Sequence, residues 1–364
     1  MKANASSFAP WVSLFLTLSV AGCAASANPS DSSGAGGSVS SSTDGGKGGA
    51  TSSAGAGGAS PSGSAGTGGG SATGGTTSTP DAAAAMSDDG LCGNVTLASS
   101  KTIAAGKTFT ICAGSTMTLS GSDTAFTIQG TVSIEGTAAK PVKLVSAKGG
   151  TMDWAGLIVE SGGKLSSTYL EVRNAAVGLT AKAGSSFTLD HLVVESSDAL
   201  MTLSSNGSIA HAALHALGAA QSATPLAIAN ASPHFTNVVV DKAQYDGIDM
   251  IVVDGDNAGP VFDHVEVADA HCAFHFNAGR GITITNSYVH HSSYGMMVNG
   301  ALAGHVVHNN FEDDMVNIGS CSGGSLEARD NYFAGVAFDD TCAQLSVTGT
   351  APPKAYTTDV GPAL

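Results

Sequence analysis

Apolar residues along the C-terminal three quarters of this chain come in short alternating runs, and the runs recur every 22 to 25 residues or so. One series opens at Gly178, Leu200, Pro225, Gly247, Ala273, Gly295 and Asn317. Roughly ten residues later in most units comes a second run, ending at Val194, Val240, Val267 and Val289 and split in two by a single Asn or His. Alternation of this length predicts half-buried strands, three to a unit. Val, Ile, Phe, Ala and Thr fill the alternating positions, Gly, Asn, Asp and Ser fill the gaps, and no long helix-forming run intervenes. A leucine-rich repeat shares the period but requires a regular Leu pattern with a helix-like segment opposite. A left-handed hexapeptide helix needs a shorter coil with a six-residue subperiod. The pattern therefore predicts an all-β chain, a single-stranded parallel β-helix, right-handed because crossovers between parallel strands almost always are. About ten coils stacked about 4.8 Å apart make a rod near 50 Å long.

Aligning the second runs puts Tyr169, His191, His211, Asn237, His264, Asn286 and Asn309 in one column, with Asp330 or Asn331 continuing it. The column falls at the bend between the second and third strands, where Asn tolerates a left-handed backbone and stacked polar groups can bond from coil to coil. It resembles the asparagine ladder of pectin-lyase-like β-helices, and Trp154 with Gly156 matches the W-x-G-I opening found in that superfamily. The resemblance covers Thr102 to Val347 and rests on repeat geometry. The motif blocks of polygalacturonases, pectate lyases and pectin methylesterases are missing, so it implies a fold and none of those activities. The three histidines of the column are open to a metal-site reading, but they share the Asn register and read better as ladder substitutes.

Upstream of the repeats, Lys2 precedes an apolar stretch from Trp11 to Val20 that is too short to span a bilayer, followed by Val20, Ala21, Gly22 and Cys23. This resembles the lipobox of bacterial lipoproteins. The resemblance implies a signal peptide over 1–22, lipidation of Cys23 and attachment to a membrane. Ala24 in place of an Asp implies the outer membrane or cell surface of a Gram-negative bacterium. Residues 24–90 are nearly all Gly, Ser, Ala and Thr, cannot bury a core, and predict a disordered tether with a span on the order of 45 Å. The remainder, 91–364, is long enough for one core.

The net charge of −15 and the scarcity of arginine (Arg173, Arg280, Arg329) exclude a nucleic-acid partner, which needs clustered cations. A polyanionic sugar would need local cations or a bridging metal. Nothing in the pattern calls for an oligomer, and a monomer is expected. In an exported chain the cysteines read as disulfides, Cys92 with Cys112 and Cys321 with Cys342, each pair about one coil apart. Cys272 is left over and is expected to be a small buried residue.

Alternation turns Ile248 and Met250 inward and Asp249 outward, and in the next coil it turns Phe274 and Phe276 inward, so that His275 stacks on Asp249. Met297 and Gly319 come next in that register and break the polar column, and Asn299 lies beside Asn277. Nearby turns add Asp246, His271, Arg280 and Tyr294. Asp249, His275, Arg280 and Tyr294 are candidates for proton abstraction from a sugar acid, with Arg280 steering its carboxylate. Asp246, His271, Asn277 and Asn299 are candidates for carbohydrate contacts. The same residues also read as the polar outer face of a groove without catalysis, or as the surface of a structural or adhesive rod. Asp254, Asp256 and Asn257 surround a glycine turn that reads as a Ca²⁺ loop or as an ordinary Asp/Gly turn. His290, His291, His305, His308, Asp313 and Asp314 make a second polar group, expected to be solvated turn residues.

Overall fold

The computed structural model describes residues 86–220, 222–251, 259–300, 302–320, 323–335, 338–339, 344–348 and 361–362. Cys23, the tether up to residue 85, the Asp254, Asp256 and Asn257 loop, Cys321 and Cys342 lie outside them. Every described sheet pairing is parallel. Eleven strands stack in one sheet, from Lys101–Ile103 to Phe338–Asp339, and eighteen strand segments wind around the other sides of the same solenoid. The coil has three strands, as the repeat predicts. The strand Lys164–Arg173 pairs with Ser186–Glu195 in unbroken register except at Tyr169 and His191, where both chains bend. Among the described residues the only helical turn is the 3-10 segment Gly218–Ala220, and no helix is long and apolar enough to cross a membrane.

Stacking in register makes columns of like side chains, and the inward columns are the core. Ile248, Phe274, Met296 and Ile318 form one such column, and all are buried. Phe235 stacks on Phe262 at 5.0 Å between ring centres, and Phe262 meets Phe274 edge-on at 5.2 Å. Each such buried side chain contributes on the order of 2 kcal/mol relative to exposure. Trp154 is fully buried and its indole N–H donates to the Arg173 carbonyl at 2.8 Å. Two residues on, Gly156 has φ 124°, and a Cβ there would lie 1.8 Å from the Val177 carbonyl oxygen, so only glycine fits. The disulfide expected between Cys92 and Cys112 is formed, and Cys272 is buried with its thiol reduced.

The bend column is left-handed at Tyr169, His191, His211, Asn237, His264 and Asn286, with φ between 45° and 55°. The expected continuation through Asn309 is one residue out of register. His308 (φ 62°) takes the left-handed position in its place, and Asp330 (φ 57°), one of the two residues expected there, continues the column. Asn309 and Asn331 fall in the next, inward column, below Leu170, Leu192, Ala212, Val238, Val265 and Ser287. There they build a buried ladder. Asn331 Oδ1 accepts from the Asn309 N–H, Asn309 Oδ1 accepts from the Ser287 N–H, and Ser287 Oγ accepts from the Val265 N–H. Each Asn amide also donates to a carbonyl 25 residues back, Ile284 and Val306. The amide side chain thus satisfies backbone groups that the bend takes out of the strand ladder.

A second left-handed column closes the coil at Asn174, Ser196, Lys242, Asp269, His291 and Asp313. Behind it runs another internal ladder, in which Ser197 Oγ accepts from Ala175, Ser292 Oγ from Ala270, and Asp314 Oδ1 from Ser292. Asp314 therefore occupies a ladder position, only 7% exposed, and is not the solvated turn residue expected. Its Oδ2 is buried with no hydrogen-bond partner. Burial pushes the carboxyl up to about 6 against the pull of the Ser292 N–H and of His290 and His291. His305 with Glu327 and His308 with Asp330 are exposed pairs, but His305 stands on the strand Leu302–Val307 and His290, bonded to Glu266 on the strand Tyr288–His290, is mostly shielded, so neither is the solvated turn residue expected.

Because the folded pKa of Asp314 lies above its ordinary 3.8, the native state holds the proton more tightly, and stability falls as pH rises from 3.8 to about 6. The loss is on the order of 3 kcal/mol. Asp314→Asn keeps the acceptor for Ser292 and removes the charge. Urea denaturation should find the variant more stable than the parent by on the order of 1 to 3 kcal/mol at pH 8, and equal to it near pH 3 to 4. Equal stability at both pH values would contradict a buried, charge-strained Asp314.

Candidate functional site

The outward columns of the eleven-strand sheet change character along the rod. Thr180, Thr202 and Ala227 are followed by Asp249, His275, Met297 and Gly319 in successive coils. Inward burial of Ile248, Met250, Phe274 and Phe276 forces Asp249 and His275 to the outer face, as the alternation predicts. His275 is nevertheless only 5% exposed, because its neighbours close over it.

Asp246 is the first of them. Its Oδ2 accepts from His275 Nδ1 at 2.8 Å, while Asp249 Oδ1 stands 3.7 Å from the same nitrogen. On the far side of the ring, Asn299 Nδ2 lies 2.8 Å from His275 Nε2. A carboxylate can only accept and the Asn299 NH₂ can only donate, so this network assigns the neutral imidazole with its proton on Nδ1. Asn277 Nδ2 donates to Asp249 Oδ1 at 3.0 Å. The result is a hydrogen-bonded row across three coils: Asp246, His275 and Asn299, with Asp249 and Asn277 alongside. Burial pushes the Asp249 carboxyl above its ordinary range, and the Asp246 charge adds to this, against the pull of His275 and the Asn277 hydrogen bond.

Tyr294 and His271 border the row. Their rings meet edge-on at 5.9 Å. A Cβ built on Gly319 would come within 3.1 Å of the Tyr294 ring. The glycine that breaks the polar column thus makes room for the tyrosine to lie against the sheet. Cys272 is buried at the position paired with Asp246, its Sγ 3.5 Å from His271 Nδ1. Tyr245, next to Asp246, is an aromatic the sequence pattern did not single out, and it is 54% exposed. Its signal was an aromatic in a polar turn immediately before a candidate carboxylate.

Arg280 is not brought to the row. It is exposed on Gly279–Thr285, a strand of the other sheet paired with Leu302–Val307. Among the described residues it makes no ion pair. It stands on a different sheet from Asp249 and His275, and no ion pair among the described residues joins it to either, so the carboxylate-steering role expected for Arg280 gains no support.

The histidines of the bend column form a separate group. Tyr169 stacks on His191 at 4.1 Å and His191 on His211 at 4.7 Å, with Asp190 Oδ1 at 3.0 and 2.8 Å from the two imidazole Nδ1 atoms. A recess of about 200 Å³ beside it is lined by Ala138, Pro141, Tyr169, Glu171 and His191.

No family model and no curated protein matches the sequence. Among solved structures, an alginate lyase from Paenibacillus sp. str. FPU-7 is similar at a TM-score of 0.29 and 12% identity, over 70% of this chain and 99% of that chain.

Proposed function

We propose that this chain is a lipid-anchored envelope protein whose β-helix binds a neutral, hydroxyl-rich glycan across the outward row from Asp246 to Asn299, with Tyr245 as a stacking platform. The supporting observation is the row itself. Two carboxylates in one coil, an imidazole and an amide in the next, and a second amide in the one after offer acceptors and donors that hydroxyl groups of successive sugars can bridge, and the exposed Tyr245 directly precedes Asp246. A polyanionic glycan fits this face less well, because two carboxylates line it and Arg280 lies on the other sheet.

The raised pKa of Asp249 favours a second reading, a lyase or hydrolase using Asp249 and His275 as acid and base. Against it stands the Asn299 amide on His275 Nε2, which occupies the nitrogen that would take a proton.

One assay separates these readings. The whole chain is passed over neutral and acidic polysaccharides while retention and new reducing or unsaturated ends are followed. Retention on neutral glycans without product is the expected result. Tyr245→Ala and Asn299→Ala should each weaken it about tenfold or more, near 1.4 kcal/mol. Product formation abolished by Asp249→Asn or His275→Ala would replace binding with catalysis, and retention on acidic glycans alone would overturn the choice of ligand. Neither retention nor product would leave a structural rod.

The anchor has its own expected outcome. Cys23→Ser should move the protein from the membrane fraction to the soluble fraction, since a Gly/Ser-rich tether holds no membrane by itself. Unchanged partitioning of the variant would remove lipidation from the proposal.

A further inference from the structure

Cys272 is placed oddly for a residue that serves only to fill space. Its thiol sulfur lies against an imidazole nitrogen, and a ligand oxygen of Asp246 completes a triangle in which all three atoms are within 4.8 Å of one another. We propose that Asp246, His271 and Cys272 form a three-ligand site for a divalent transition metal of the zinc class, with water as the fourth ligand. The site shares Asp246 with the proposed glycan row, but its test reads metal and not glycan.

The distances carry it. Sulfur and nitrogen ligands at about 2.3 and 2.05 Å on one tetrahedral zinc sit about 3.6 Å apart, and Cys272 Sγ is 3.5 Å from His271 Nδ1. The sulfur and nitrogen already stand at ligand spacing, and the Asp246 oxygen lies within 4.8 Å of both. Asp246 and Cys272 are directly paired on adjacent parallel strands, so the sheet fixes their separation, and His271 immediately precedes Cys272. Asp246 is also held from behind. Its carboxylate accepts from His275 Nδ1 at 2.8 Å through Oδ2, the kind of outer hydrogen bond that orients ligating carboxylates. Tyr294 meets the His271 ring edge-on and restricts its rotation.

The donor set decides the class of ion. One thiolate, one imidazole and one carboxylate suit zinc, cobalt or a similar borderline ion, whereas calcium and magnesium take oxygen. The Asp190, His191 and His211 group has comparable separations but lacks sulfur, and its imidazoles stack face to face along the bend column. Because the thiol must lose its proton on binding, affinity should rise with pH.

The test titrates the whole chain with Co²⁺ in the absence of reductant, so that the Cys92–Cys112 disulfide stays closed. One equivalent should bind with a near-ultraviolet thiolate-to-cobalt charge-transfer band, and Zn²⁺ should displace it and raise the melting temperature. Cys272→Ser should abolish the band. Since Cys272 is buried, its loss could also unsettle the coil, so His271→Gln and Asp246→Asn provide independent readouts, each expected to weaken metal binding at least tenfold. Circular dichroism of each metal-free variant establishes that it is folded. Absence of a thiolate band in the parent chain would overturn the site, and cobalt bound through histidines alone would do the same by pointing to Asp190, His191 and His211. A band that survives in Cys272→Ser, or affinity unchanged in His271→Gln, would also overturn it by assigning the metal to other ligands.

Discussion

A chain that lays each coil on the last must leave every strand at the same place and angle, and here that requirement is met by left-handed residues repeated in two columns. An L-residue pays about 1 to 2 kcal/mol of steric strain in that conformation. Sixteen non-glycine residues of the described chain have positive φ, most of them Asn, Asp or His, whose short polar side chains ease the strain through local hydrogen bonds. Asn286, for example, donates to Asp263 Oδ1 at 2.8 Å, one coil back. Everything else depends on those bends falling in register. They stack Ile248 on Phe274 inside and Asp249 on His275 outside, and a slip of one residue would exchange the two faces.

The same dependence explains which parts of the fold could be read from sequence. Period-two alternation marks inward and outward positions wherever a strand is regular, and it correctly orients Ile248, Asp249, Met250, Phe274, His275 and Phe276. It fails at Asn309 because two polar residues stand side by side, His308 and Asn309, and then Asp330 and Asn331. Either member could serve as the bend. What decides is the interior. An inward Asn can both donate and accept toward backbone groups of neighbouring coils, and Asn309 does so with Ser287 and Ile284. Ser287, a polar residue where earlier coils have Leu, Ala or Val, was the available sign that the inward column had turned polar.

Within the candidate site, the row of Asp249, His275, Asn277 and Asn299 was legible for the same reason. The alternation places Asp246 in a nearby turn, whereas it opens the strand Asp246–Ile251 and accepts from His275. Asp246 and Ile248 have the same parity, yet Ile248 faces the core while Asp246 reaches the outer histidine, because the strand is irregular at Gly247. There a Cβ would meet the Ala273 carbonyl oxygen and the Val267 side chain, each at 2.9 Å. Arg280 went astray at another corner. Only two residues lie between it and Asn277, but the coil turns there and hands the arginine to a different sheet. Sequence proximity carries little information across such a corner.

Stacked parallel coils also create an electrostatic problem that the chain solves with histidine. Columns repeat residue types, and acidic groups outnumber Lys and Arg by 29 to 14, so carboxylates cannot all find a permanent cation, and like charges one coil apart repel. Imidazoles sit on them instead. His211 lies 2.8 Å from Asp190, His215 2.8 Å from Asp241, His275 2.8 Å from Asp246, and His290 3.0 Å from Glu266, each pair reaching between coils. The hydrogen bond that His215 donates to Asp241 raises the His215 pKa above its ordinary value. The stability this adds is present in full below the unfolded value of 6.5 and is lost as pH rises through the higher folded one. A neutral imidazole can still donate one N–H to its carboxylate, which keeps the stack together without a full countercharge. At His275 that economy leaves the Asp246 and Asp249 charges only partly offset on the outer face, a local field that favours hydroxyl donors and cations over anions.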